Sequence, residues 1–260
     1  MDSRLISRRA AFVYGVALLL ASPAAAEEVR VMSSGGTAAA FVALTPEFER
    51  ATGHKVVTLA TSTGLGADSI SSRVRRGEPV DVVILSRAQI DELAGEGKVV
   101  ATGRVDLARS SIGMAVRKGA AKPDISTVDA LTRALQQARS VAYSAQVSGI
   151  YLTTELFPRL GIADQMTKKG IRVDVGRVGT VVARGEAEIG FQQMSELMEV
   201  EGVDLVGPLP AEVQRVTVFT AAVVAGSKSP GAAMALIEFL GSARGTEVMK
   251  KSGLDPIPRR

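Results

Sequence analysis

Val29-Arg30-Val31-Met32-Ser33-Ser34-Gly35-Gly36-Thr37 is an apolar strand that runs straight into a hydroxyl- and glycine-rich turn, and the residues after it carry a helical pattern. Such a turn is an anion cradle. The first N–H groups of a helix have no partner inside it, and the positive end of the helix dipole points the same way. The pattern recurs three times, each time before a helix: at Thr61-Ser62-Thr63-Gly64, at Ser144-Ala145-Gln146-Val147-Ser148-Gly149 and at Gly176-Arg177-Val178-Gly179-Thr180. One such segment is an ordinary cap. Four on the same strand-to-helix side predict helix tips that converge at the carboxyl ends of strands, where open α/β sheets collect ligands.

The rest of the chain alternates in the same way. Val80 to Leu85 is a nearly continuous apolar run, as in a strand covered on both faces, and Val216 to Ala225 reads as a long strand. Helical patterns span Ala38–Ala51 with a break expected at Pro46, Leu65–Arg76, Val128–Ala138, Ser148–Leu160 ended by Gly161, Gly231–Leu240 and Ala243–Ser252. Leu197 to Val206 reads as a loop leading into a strand. This order predicts an α/β protein with parallel sheets flanked by helices.

Composition narrows the function. Arg4, Arg8 and Arg9, the apolar run Ala10–Leu20 and Ala24-Ala25-Ala26 read as a cleavable export signal over residues 1–26, which places the mature chain in a periplasm-like space. The run is shorter than the roughly 20 residues that span a bilayer, and Ser7-Arg8-Arg9 leaves both general and twin-arginine export open. Without cysteine there is no disulfide, thiolate metal site or cysteine nucleophile. The net charge of +4 falls to +2 without the three arginines and one aspartate of the first 26 residues, and aromatics make up only 4%. Neither favours a nucleic-acid partner. His54, the sole histidine, reads as a turn residue, so no nucleophile–histidine–acid set is available. No dinucleotide or phosphate-loop fingerprint is completed, and Asp81 reads as a turn cap rather than a catalytic acid. The expectation is a binding protein, not an enzyme, with no cofactor and no metal site. Carboxylate-only catalysis is an alternative, and a sensor or scaffold on the same fold is another.

Several segments resemble the periplasmic molybdate-binding family of solute-binding proteins from ABC importers. They are Val29 to Gly36, Phe48-Glu49-Arg50-Ala51-Thr52-Gly53, Thr61-Ser62-Thr63, Gly77-Glu78-Pro79-Val80-Asp81, Ser148-Gly149-Ile150-Tyr151, Gly185-Glu186-Ala187-Glu188-Ile189-Gly190 and Ala235 to Leu240. The resemblance implies a two-lobed type II periplasmic binding protein fold with mostly parallel sheets, helices on their faces and a two-strand hinge. Lobe 1 would be residues 27–110 plus 219–260, and lobe 2 residues 111–218. It implies a molybdate- or tungstate-like oxyanion held between the lobes and passed to an ABC permease of the inner membrane, with a monomer as the default for the class. The ligand-binding set carried over, together with the cradle residues, is Ser34, Gly35, Gly36, Thr37, Ser62, Thr63, Ser148, Gly149, Arg177, Gly179 and Gln193. Two positions depart from the family. Gly36 falls where the molybdate pocket typically uses a serine, and Gln193 replaces a tyrosine donor. Both changes make room for a larger organic anion, such as a di- or tricarboxylic acid, clamped by Arg87, Arg177 or Arg184.

Overall fold

The computed structural model describes residues 26–60 and 66–258. The export segment, apart from Ala26, lies outside the described residues, and so do Ser62 and Thr63. Among the described residues no helix is long and apolar enough to cross a membrane.

The chain builds two sheets in turn. The first half of lobe 1 is β1 (Glu28–Ser33), α1 (Gly35–Thr52), β2 (Lys55–Thr58), α2 (Ile70–Arg75), β3 (Val82–Ser86), α3 (Arg87–Gly95) and β4 (Val105–Ser110). The chain then crosses at Ser111 into β5 (Ile112–Arg117), α4 (Val128–Gln137), β6 (Val141–Ser144), α5 (Val147–Tyr151), α6 (Phe157–Arg159), α7 (Ala163–Lys169), β7 (Gly170–Val173), α8 (Val178–Ala183), β8 (Ile189–Gln193), α9 (Met194–Met198) and β9 (Val203–Pro208). It returns through residues 209–216 to β10 (Thr217–Val223), α10 (Pro230–Leu240), α11 (Ala243–Lys251) and β11 (Asp255–Pro256). The strand orders are β11-β4-β10-β3-β1-β2 and β7-β6-β8-β5-β9.

Pairing is more mixed than strand–helix alternation predicts. β2, β1 and β3 are parallel, as are β7, β6 and β8, but β10 and β4 in the first sheet and β5 and β9 in the second run antiparallel to their neighbours. β5 and β10, the strands that leave the two crossings, run against the parallel strands of their sheets, whereas β4 and β9, which lead into the crossings, run with them.

Each sheet has its own core. Phe41, Leu44 and Phe48 of α1 pack with Leu236 and Ile237 of α10 against Val29, Val31 and Ile84 of the first sheet. Leu131, Leu135, Leu152, Leu156 and Phe157 cover Met114, Val141 and Phe191 of the second. Full burial of one such side chain is worth about 1.5–3 kcal/mol, so each lobe has the apolar material to hold its own sheet.

Several expectations are corrected locally. Pro46 does not break α1, because it lies on the exposed face, where the carbonyl it deprives at Val42 meets solvent. The helix expected over Ser148–Leu160 is interrupted by a wider π-type turn over Leu152–Leu156. The strand that precedes the Gly176-Arg177 turn runs over Gly170–Val173, directly after the helix α7. Leu197 belongs to a short helix, α9, rather than a loop. The Gly-Glu-Pro segment is structural: Gly77 takes a φ of 77° after α2, and Glu78 pairs with Arg73, whose Nε lies 2.7 Å from Glu78 Oε2.

Candidate functional site between the lobes

The carboxyl ends of β1, β3, β6 and β8 meet at a narrow, nearly closed cavity between the lobes, with a free volume of about 10 Å³, room for a single water, so a larger ligand enters only when the lobes part. Lobe 1 contributes Ser34 before α1, Ser86 and Gln89 at the start of α3, and Thr217 and Phe219 of β10. Lobe 2 contributes Gln146, Val147 and Ser148 at the start of α5, and Gln193 and Glu196 where β8 turns into α9. On the other side of the α5 tip lies a more open recess of about 380 Å³, bounded by Gly66, Tyr143, Ser144, Gly149 and Arg172. The lobes touch around the cavity. Ser195 Oγ donates to the Gly36 carbonyl at 2.8 Å, and Gln193 Nε2 donates to Thr217 Oγ1 at 2.9 Å.

Two expected cradles reach this cavity. Ser34 caps α1 through its backbone alone, so its hydroxyl is not used by its own helix. Ser148 shares a 3.0 Å hydrogen bond with Ser144, and both are buried. Gly149 is required by close approach, since a Cβ there would lie 1.6 Å from the Ser144 carbonyl oxygen. Gln193 lines the cavity, with its Oε1 buried and unpartnered.

Other expected residues lie elsewhere. Thr37 is buried beneath the turn, bonded to Ser33 Oγ at 2.9 Å and to the Ser34 carbonyl at 3.2 Å. Gly36 is covered by a ring: a Cβ there would lie 2.3 Å from Cζ of Phe219. The fourth cradle does not line the cavity. Its Val178 N–H already donates to Gln192 Oε1 at 2.8 Å, and Gly179 packs against Val200. None of the three candidate arginines lines it either. Arg87 pairs with Asp106 at 2.6 Å, Arg177 approaches Glu199 at 4.0 Å and Arg184 approaches Glu186 at 3.9 Å. Asp81 sits at the opposite end of β3, where it accepts from Arg30 N–H, the Ser227 hydroxyl and Lys228 N–H, as a turn cap does. His54 is also a turn residue, stacked on Phe48.

Sequence reasoning passed over Glu196. It is 5% exposed and is the one charged side chain among the described residues that line the cavity. It occupies the first turn of α9, and its Oε1 accepts from Gln192 Nε2 at 2.9 Å. Burial pushes its carboxyl up to about 7, against the smaller opposing pulls of the Arg177 charge and the Gln192 hydrogen bond. Among the described residues no three of His, Cys, Asp or Glu cluster as a metal-ion site.

The profile described as bacterial extracellular solute-binding protein matches residues 29–255. The chain belongs to that family. An aconitate isomerase of a Pseudomonas species is 42% identical over 249 residues, covering 94% of this chain and 95% of the relative. The molybdate-binding protein ModA of Azotobacter vinelandii is 26% identical over 243 residues, covering 90% of this chain and 92% of that protein. The solved periplasmic molybdate-binding protein from Azotobacter vinelandii superposes with a TM-score of 0.72 at 19% identity, over 89% of this chain and 100% of that one. This likeness establishes the two-lobed periplasmic binding protein fold. The 42% relative corrects the expectation that the chain is not an enzyme: a protein alike over nearly its whole length bears an enzyme's name. The missing histidine was a poor reason to exclude catalysis, because proton transfer needs only one well-placed acid or base.

Proposed function

We propose that this family member is an extracytoplasmic isomerase of a small unsaturated tricarboxylic acid, aconitate, which it binds and converts between the two lobes. The observation that carries the reading is the 42% identity to an aconitate isomerase across 94% of the chain. Aconitate has a methylene group flanked by a carboxylate and a carbon–carbon double bond, so that its protons are unusually acidic. Removing a proton there and returning one to the far end of the three-carbon unit moves the double bond. The geometry about the new double bond follows the conformation in which the substrate is held. No oxidant and no metal enters this balance.

The cavity's chemistry supports the reading. Ser34, Ser86, Ser148, Gln146 and Thr217 carry neutral donors that suit carboxylate oxygens, backed by the tips of α1 and α3. Hinge closure across the two crossings, at Ser111 and at residues 209–216, would exclude water from the carbanion-like intermediate.

A second reading is capture of a molybdate-like oxyanion for an ABC permease, which the relation to ModA favours. Phe219 stands against it, because its ring fills the place where a serine at position 36 would project. Gln193 stands in for a phenol donor, which weakens an oxyanion cage further.

Melting curves and proton NMR of the purified protein test both readings. We expect cis- and trans-aconitate to raise Tm and to interconvert, with molybdate silent. A Tm rise with molybdate and unchanged aconitate would refute the isomerase reading.

A further inference from the structure

Resting on the isomerase reading above, we propose that Glu196 is the proton carrier, taking a proton from the aconitate methylene carbon and returning it to the vinyl carbon of the same molecule. The balance is closed. The methylene C–H bond breaks to the Glu196 carboxylate, the π electrons shift by one bond, and the Glu196 carboxyl forms the new C–H bond.

The first argument is one of charge. A cavity built to capture an anion has no use for a buried carboxylate, since like charges repel most strongly where water is excluded. Yet Glu196 is 5% exposed and lines that cavity. Its presence is explained if it acts as a base.

The second argument is elimination. The remaining described residues lining the cavity are Ser, Gln, Thr, Val and Phe, none of which takes a proton from carbon near neutral pH.

The third argument is geometry. Gln192 Oε1 accepts from Val178 N–H at 2.8 Å, which fixes the amide so that its Nε2 meets Glu196 Oε1 at 2.9 Å. Glu196 Oε1 is also pressed against the α1 tip, where a Cβ on Gly35 would lie 2.4 Å away. Among the described residues nothing donates to Oε2, so one oxygen is anchored and the other is free to act. A base raised from the ordinary carboxylate value toward neutrality is better matched to a weak carbon acid. Arg177, before α8, is the charged side chain whose field reaches Glu196, and Glu199 lies beside that arginine.

The test uses trans-aconitate with wild type, Glu196→Gln and Glu196→Asp. Conversion is followed by NMR from pH 5.5 to 8.5, and binding by the Tm shift. We expect Glu196→Gln to keep its Tm shift while conversion falls by roughly 100- to 10,000-fold. Glu196→Asp should keep part of the rate with its acid limb displaced, and wild type should lose rate as pH falls through about 7. Conversion by Glu196→Gln within tenfold of wild type would overturn the proposal alone. So would a flat wild-type pH profile, which decides the matter should neither variant fold. A wild type that binds trans-aconitate and leaves it unchanged would overturn the isomerase reading as well.

Discussion

The buried carboxyl of Glu196 makes a prediction that needs no substrate. Its value rises from the ordinary 4.5 to about 7 because burial disfavours the charged form. At about 1.4 kcal/mol per unit, that difference is worth about 3 kcal/mol. The sign follows from linkage. Between the two values the unfolded chain has released this proton while the folded protein still holds it, so stability falls as pH rises through the window and levels off above pH 7. Glu196→Gln preserves the shape and removes the titration. Urea unfolding of both ligand-free proteins from about pH 5 to pH 8 isolates the effect, since every other titrating group is common to the pair. The variant should gain on wild type by about 2–3 kcal/mol across that range. A gap that stays constant to within about 0.5 kcal/mol would show that Glu196 is not held neutral by the fold, and the reasoning about its burial would fail.

Two further substitutions probe the same cavity. Gly36→Ser restores the hydroxyl typical of molybdate pockets but drives its Cβ into the Phe219 ring; it should cost about 1–3 kcal/mol in chemical unfolding and confer no Tm shift with molybdate. Arg177→Ala removes the positive field that lowers the Glu196 value, so the acid limb of aconitate conversion should move to higher pH, and an unmoved limb would discount that arginine.

Much of the architecture was legible in the sequence. The apolar runs at Val29–Met32 and Val80–Leu85 reported strands buried between helix layers, and both form neighbouring strands of the first sheet. The cradles at Ser34 and Ser148 were legible because a strand followed by small hydroxyl residues and a helix can fold in few other ways, and both reach the cavity. The cradle at Arg177 was misleading. A local pattern cannot show that a side chain from a distant strand, Gln192, already bonds to the Val178 N–H. Ser86 carried a signal that went unused: it ends an apolar strand and caps the next helix, accepting from Gln89 N–H at 3.4 Å.

Glu196 was hidden for a deeper reason. A glutamate in the first turn of a helix is commonplace and usually solvated. Only the closure of α9 against α1, with Ser195 bonded to the Gly36 carbonyl, takes this one out of water. Phe219 illustrates the same limit: as a residue of β10 it reads as core, and only the tertiary fold brings its ring over Gly36. The missing histidine excludes only a nucleophile–histidine–acid set, whereas an allylic proton shift asks for a single well-placed acid or base, which composition alone does not locate.

The account rests on chemistry in the interlobe cavity, and the approach to equilibrium from both sides tests it most directly. Purified protein is incubated with pure cis-aconitate and, separately, with pure trans-aconitate until the NMR spectrum stops changing. The account predicts the same final mixture from either isomer. Two samples that each keep their starting isomer, at protein concentrations matching the substrate, would contradict it.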